Sequence, residues 1–362
     1  MLLVGRLRLV FDAFMTGRES VHDGMDIGFF LVPSFSLFSY AAALEPIRTA
    51  NDVLGRKFYR WFVITHDGEP VQSSNGLTAV ADQSIDGERV ADMLIVCAGI
   101  EVEAFHDPRS FAWLRRQARR GIPIGGICTG SLVLARAGLL EGYRSTIYWE
   151  NLANFREEFP NLDITSALYE VDRGRFTCGG GVSCLDLVHH LIAQHHGADA
   201  ASAVSERFTH TRVRDGHDPQ RMALRERLGI HHAKLLSVLE EMEEHIEEPL
   251  SREQLARTAG LSIRQLERLF RTYLGHTLGQ HYLDLRLQRA RLLLKQSSRS
   301  VLDIALACGF VSASHFSRAY RMRYGHPPTA ERPGLSGAAR AHPAPLAAEH
   351  QGDIVSLLGK RP

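Results

Sequence analysis

"IPIGGICTGSLVLARAGLLEG", residues 122–142, decides the fold of the larger part of the chain. Ile122 to Ile127 is an apolar run of strand length, and Ser131 to Leu140 is apolar at helical spacing. Cys128, Thr129 and Gly130 stand between them, leaving room only for a tight strand-to-helix turn. Enzymes place nucleophiles on such turns, where the side chain stands free at the carboxyl end of a strand. The stretch therefore offers two readings of Cys128: a catalytic nucleophile, or the floor of a binding pocket.

Upstream and downstream the same alternation repeats. "DIGFFLVPS" (26–34), "YRWFVITHDG" (59–68) and "ADMLIVCAG" (91–99) read as strands. Residues 35–54 read as a helix that Pro46 should bend or restart. "PRSFAWLRRQARRG" (108–121) is an amphipathic helix, and Gly121 stops it. Residues 167–181 form a hairpin turning at Arg173-Gly174, and 184–197 a further helix. Strands alternating with helices predict a flavodoxin-like α/β fold, a mostly parallel sheet sandwiched by helices. Ligands in such folds sit at the carboxyl ends of the strands. The ends at Pro33, Gly99 and Cys128 should converge on one crevice.

The polar stretch 209–230 has few apolar anchors and reads as a linker or a loosely packed connector. Beyond it the periodicity is helical throughout. The expected organisation is a flexible extension over 1–24, an α/β domain over 25–208, the linker, a helical domain over 231–332 and a disordered tail over 333–362. The first 14 residues are broken by Arg6, Arg8 and Asp12 and lack the features of a signal peptide. No apolar run reaches the roughly 20 residues of a membrane helix. Five scattered cysteines, without a CxxC pair, fit a reducing cytoplasm and no structural zinc. The chain carries a net charge of +1, but residues 251–332 hold 14 basic against 5 acidic side chains. That segment suits a polyanionic partner.

The basic segment also contains a repeat. Residues 253–277 and 302–328 align with Gly260 on Gly309, Leu266 on Phe316, Arg268 on Arg318, Phe270 on Tyr320 and Gly275 on Gly325. Each copy reads as a short helix, a turn holding the first glycine, and a longer helix, which is the helix-turn-helix pattern. The second helices would present Ser262, Arg264, Gln265, Arg268 and Arg271 in one copy, and Ser312, Ser314, His315, Ser317, Arg318 and Arg321 in the other. Residues near the start of a recognition helix meet base edges, and flanking Arg and Ser hold phosphates. The long helix between the copies, 278–297, spaces them for successive major grooves.

"SVLDIALACGFVSASHFSRAYRMRYGHPP" (300–328) resembles the signature of AraC/XylS-type transcription regulators. "GGICTGSLVLARAGLLEG" resembles the cysteine elbow of the ThiJ/PfpI branch of the class I glutamine amidotransferase-like fold. Together they resemble the GlxA subgroup of those regulators. "GYRSTIYWENLANFREEFP" (142–160) and "DRGRFTCGGGVSCLDLVHHLIAQHHG" (172–197) are most similar to regulators of betaine, carnitine and related amine catabolism. The resemblance implies a transcriptional activator with a double-stranded DNA operator, a small-molecule effector, a second copy of the chain and RNA polymerase as partners. It implies no cofactor and no membrane.

In the catalytic branch a His follows the elbow Cys and a carboxylate approaches it. Here Thr129 and Ser39 occupy those places, and Glu45 lies two turns beyond Ser39. The resemblance thus implies a non-catalytic pocket. Its candidate lining is Cys128, Thr129 and Gly130, whose backbone N–H groups suit a carboxylate, with Glu45, Gly99, Tyr148 and Trp149. The helix starting after Cys128 should lower its pKa modestly. Aromatic faces attract quaternary ammonium groups. Tyr148 is a departure, since relatives often carry His there. The rival readings are a cysteine hydrolase, and a redox sensor pairing Cys128 with Cys178 or Cys184. The pairs His189-His190, His195-His196 and His231-His232 lack partners that would complete a metal site.

Overall fold

The computed structural model describes residues 24–297 and 299–332. The extension expected before Gly24 and the tail expected over 333–362 lie outside the described residues. The central sheet contains β1 (Met25–Leu31), β2 (Tyr59–Thr65), β5 (Gln83–Ser84), β6 (Met93–Cys97), β7 (Ile124–Ile127), β10 (Tyr169–Asp172) and β11 (Arg175–Cys178). Two small pairs stand apart, β3 (Val71–Gln72) with β4 (Thr78–Ala79) and β8 (Arg144–Ser145) with β9 (Asp163–Ile164). The seven strands run in the order β10-β11-β7-β6-β1-β2-β5, all parallel except the β10–β11 hairpin.

Alternation along each central strand builds two cores. Ile27, Phe29 and Leu31 of β1 enter one layer, with Met93, Ile95 and Cys97 of β6. Phe30, Leu94 and Val96 enter the other. Helices α1 (Leu37–Leu54), α5 (Ser183–His196) and α6 (Ala198–Arg207) cover the first layer. Helices α2 (Pro108–Arg119), α3 (Gly130–Arg136) and α4 (Leu152–Glu158) cover the second. Buried on both faces, β6 reads as unbroken apolar sequence, as parallel strands do. Helix α1 runs through Pro46 without restarting. Its buried face of Ala42, Ala43, Pro46, Ile47 and Ala50 packs on the sheet and holds it straight enough to continue.

The connector corrects the expectation of loose packing. Arg214 donates to Asp186 at 2.6 and 3.0 Å, and the His210 ring meets the same carboxylate at 2.9 Å. Asp186 is fully buried, and these bonds satisfy its charge. The Gln220 amide donates to Thr146 Oγ1, Ile147 O and Ala167 O at 2.8–3.0 Å. Residues 210–220 are therefore strapped to the α/β domain before α7 (Leu224–Leu228) leaves it.

The helical part contains α8 (Ala233–Glu244), α9 (Arg252–Thr258), α10 (Ile263–Leu274), α11 (Leu278–Gln296), α12 (Val301–Ala307) and α13 (Ala313–Tyr324). Leu255, Ala256, Leu266 and Phe270 form one core with α8, and Ile304, Ala305, Phe310, Phe316 and Tyr320 form another. Helix α11 serves both, giving Leu278 and Tyr282 to the first and Leu287, Ala290, Leu293 and Leu294 to the second. Each helix-turn-helix turn holds a left-handed glycine, Gly260 at φ 59° and Gly309 at φ 72°. A cationic side chain closes each turn. Lys234 reaches Gly260 O at 3.2 Å, and Arg286 reaches Cys308 O and Gly309 O at 2.7 and 2.6 Å.

Candidate effector pocket and nucleic-acid interface

The elbow is real. Cys128 takes φ 59°, unusual for a non-glycine residue, at the end of β7. Glycine is required on both sides of it. A Cβ on Gly126 would lie 2.6 Å from Ser131 N, and one on Gly130 would lie 2.2 Å from Val96 O. Gly99 is equally crowded, 2.3 Å from Ser34 O, and its carbonyl accepts the buried Thr129 hydroxyl at 2.7 Å. Thr129 and Gly99 thus fasten two strand ends together.

Ser39 stands beside the elbow, hydrogen-bonded to the Cys128 thiol. It also accepts Gly181 N–H at 2.8 Å and donates to Ser36 at 2.9 Å. Neither it nor Thr129 is a base. Burial, then the neighbouring Cys178, push the Cys128 thiol up to about 12, against the Thr129 N–H and the Ser39 hydroxyl. The expected lowering by the helix start is overturned, because desolvation exceeds what a seven-residue helix supplies. The expected carboxylate cradle is also reduced. The Cys128 N–H serves the Cys178 sulfur, and the Thr129 N–H serves Cys128 itself. Glu45 does not join the group, since its half-exposed side chain is paired with Arg48 at 2.8 Å.

Cys178 and Cys184 pair with each other, Sγ to Sγ at 3.3 Å and fully buried. Burial opposes ionisation of Cys178, but Cys184 and the N–H groups of Gly180 and Cys128 outweigh it and hold its pKa below the usual value. Burial and that neighbour push Cys184 well above.

Tyr148 and Trp149 diverge although their rings are 5.7 Å apart. Tyr148 is tied to the elbow, its N–H donating to Cys128 O at 3.3 Å and its hydroxyl bonded to Glu150. Burial raises the pKa of both the Tyr148 hydroxyl and the Glu150 carboxyl. Trp149 faces a cleft of about 970 Å³ between the two domains. There the Arg221 guanidinium lies 4.5 Å from the Trp149 ring centre and reaches Glu243 of α8 at 3.4 Å. Arg227 meets Glu243 at 2.6 Å. Sequence reasoning missed Arg221 and Arg227, because a polar connector carries no periodic signal, and Glu243, an α8 side chain that only the fold brings to them.

The arginines expected to meet DNA are exposed on α10 and α13: Arg264, Arg268, Arg271, Arg318 and Arg321. None has an ion-pair partner among the described residues. Other arginines of this domain do, such as Arg323 with Asp284 and Arg291 with Glu331. Ser314 and His315 are exposed, and Ser317 is partly so. Ser262 and Gln265 form a reciprocal capping box at the start of α10, and Ser312 caps α13 through His315 N–H at 3.2 Å. These three residues fix where each helix begins. Val311 and Met322, 89% and 83% exposed, share this surface and were missed. A large apolar residue outside the core period was their one available signal.

The histidine pairs have structural duties. His195 meets the Tyr59 hydroxyl at 2.9 Å, His190 meets Gln194 at 2.9 Å, and His232 caps α8.

Comparison with known proteins agrees with this architecture. Residues 35–163 match the DJ-1/PfpI family, and residues 255–333 match a helix-turn-helix domain. The chain is 44% identical to the HTH-type transcriptional regulator GbdR of Pseudomonas aeruginosa over 85% of this chain and 84% of that one. It is 44% identical to the regulator CdhR of the same species, over 85% and 91%. It is also 44% identical to the regulator GlxA of Rhizobium meliloti, over 83% and 94%. The chain belongs to the GlxA-like transcriptional regulators, in which a DJ-1/PfpI domain precedes an AraC-type helix-turn-helix domain.

Proposed function

We propose that this regulator is a cytoplasmic activator that binds operator DNA as a homodimer, engages RNA polymerase and answers to a small amine or amino-acid metabolite, of betaine or carnitine type. The α/β domain holds that effector without turning it over. The observation that carries this reading is the elbow thiol, held at about 12 and bonded, among the described side chains, to the Ser39 hydroxyl rather than to an imidazole or carboxylate, in a chain whose other half bears two basic recognition helices. A nucleophile needs its thiolate near neutral pH. A sensor needs only differential affinity between two states.

Support for an amine comes from Trp149, with Glu150 beside it, and from the aromatic attraction for ammonium groups. Arg264, Arg268, Arg271, Arg318 and Arg321 hold phosphates or read bases, with Ser314, His315 and Ser317 beside them. A thermal-shift screen of the full chain against betaine, dimethylglycine, sarcosine, carnitine, choline and arginine tests the effector class. A ligand at 100 times its dissociation constant adds about 2.7 kcal/mol of stability. No shift across that panel overturns the amine reading.

A further inference from the structure

The aromatic face suited to a cation already holds one. Arg221 lies 4.5 Å from the Trp149 ring centre, on the cleft side. Its neighbour Gln220 is fixed to the α/β domain by three bonds, so the backbone at Arg221 is anchored there. Its guanidinium reaches Glu243, on the last turn of α8 in the DNA-binding domain, at 3.4 Å. One side chain thus joins the elbow loop to the output domain.

Charge in the cleft points the same way. Four carboxylates line it, Glu150, Glu243, Glu244 and Glu247, against four arginines that include Arg221. Arg227 is committed to Glu243, and Arg156 to the Ile164 carbonyl. Lifting Arg221 off Trp149 exposes an aromatic face and leaves one negative charge unmatched. A small alkylated ammonium group restores both interactions. A ligand without a cationic group restores neither.

We propose that Trp149, with Glu150 beside it, is the cation subsite for the effector, and that Arg221 is its resident occupant, displaced when a small ammonium ligand binds. This rests on the amine reading above and adds the subsite and its coupling. The ligand binds only the state in which Arg221 is off the ring, so its apparent affinity falls by the fraction of molecules in that state. Binding in turn depletes the bridged state and loosens the Arg221–Glu243 link between the domains.

The test is calorimetric titration of the full-length protein with tetramethylammonium chloride and with glycine betaine, at constant ionic strength. Arg221→Gln should bind tetramethylammonium about tenfold more tightly than wild type, the equivalent of about 1.4 kcal/mol. Glu243→Gln frees the arginine without altering it and should tighten binding by a smaller factor. It also gives a second measurement where Arg221→Gln fails to fold. Trp149→Leu should abolish tetramethylammonium binding in every background. Hydrogen exchange over 219–230 should rise with ligand in wild type, and should start high and stay unchanged in Arg221→Gln. Unchanged tetramethylammonium affinity in both Arg221→Gln and Glu243→Gln overturns the resident-cation assignment. If Trp149→Leu leaves glycine betaine affinity untouched, the subsite lies elsewhere while the amine reading stands. No binding of either probe to wild type or Arg221→Gln overturns both.

Discussion

Replacing Arg264, Arg268, Arg271, Arg318 and Arg321 together by Gln tests the nucleic-acid interface without knowledge of the operator. These five are exposed and have no carboxylate partner among the described residues, so each brings an uncompensated charge to DNA. Each phosphate neutralised adds about 0.9 to the slope of log affinity against log salt. Five phosphate contacts make a slope of about 4.5 per chain, or about 3.5-fold in affinity per arginine between 50 and 200 mM salt. The assay is fluorescence anisotropy on a random-sequence duplex, where only backbone contacts contribute. Gln keeps the helices intact, because the caps at Ser262 and Ser312 and the cores around Phe270 and Tyr320 are untouched. The unfolding midpoint should therefore match wild type. Single variants sort the five further. A phosphate-holding arginine lowers the slope by about 1, whereas a base-reading one costs about 1–3 kcal/mol on the true operator. A five-fold variant that folds and keeps the wild-type slope refutes the assignment of α10 and α13 as the DNA-facing helices.

Three further outcomes follow from other parts of the molecule. Alkylation of Cys128 by iodoacetamide should rise about tenfold per pH unit from pH 7 to 10 without a plateau, since its thiol titrates at about 12; a plateau near neutrality would restore the nucleophile reading. Arg286→Ala removes two bonds to the turn at Cys308–Gly309 and a guanidinium 4.2 Å from Phe310, so it should cost about 2–4 kcal/mol and lower the unfolding midpoint, unlike Arg318→Gln. Burial, followed by the neighbouring His196, depresses the His195 pKa from 6.5 to about 4. The folded state thus resists protonation that the unfolded chain accepts, and stability is full above pH 6.5 and lost on acidification towards pH 4. At about 1.36 kcal/mol per pKa unit the loss reaches about 3 kcal/mol. Urea titrations at pH 7 and pH 4.5 should differ less in His195→Asn than in wild type, and equal differences would remove His195 as a source.

The parts legible in the sequence are those whose physics is local or periodic. Buried strands such as Met93–Cys97 write themselves as apolar runs, and the elbow at Cys128 follows from a strand and a helix separated by two residues. The repeat about Gly260 and Gly309 is legible because both turns need a left-handed residue and both cores need the same apolar spacing. What stayed hidden is tertiary and polar. Residues 209–230 read as a loose connector because nothing near them in sequence names Asp186, Thr146 or Ala167 as partners. The Cys128 pKa was misread for the same reason. A helix start is visible locally, but the enclosure that outweighs it comes from α1, the 179–181 loop and the 146–150 loop.

That division bears on mechanism. The two domains are each specified by patterned apolar residues that build their own cores. The polar contacts across their junction include those of Arg221 and Arg227 with Glu243, of Glu157 with Arg299 at 2.9 Å, and of Asn154 donating to Gln296 O at 3.1 Å. Most of these are exposed or half-exposed ion pairs, a class in which each contributes about 0–1 kcal/mol. A junction of that strength can be shifted by the coupling energies typical of small effectors, about 1–3 kcal/mol. An apolar interface of a domain core could not. The segment least readable from the sequence is therefore the one where a ligand-driven change in domain arrangement costs least.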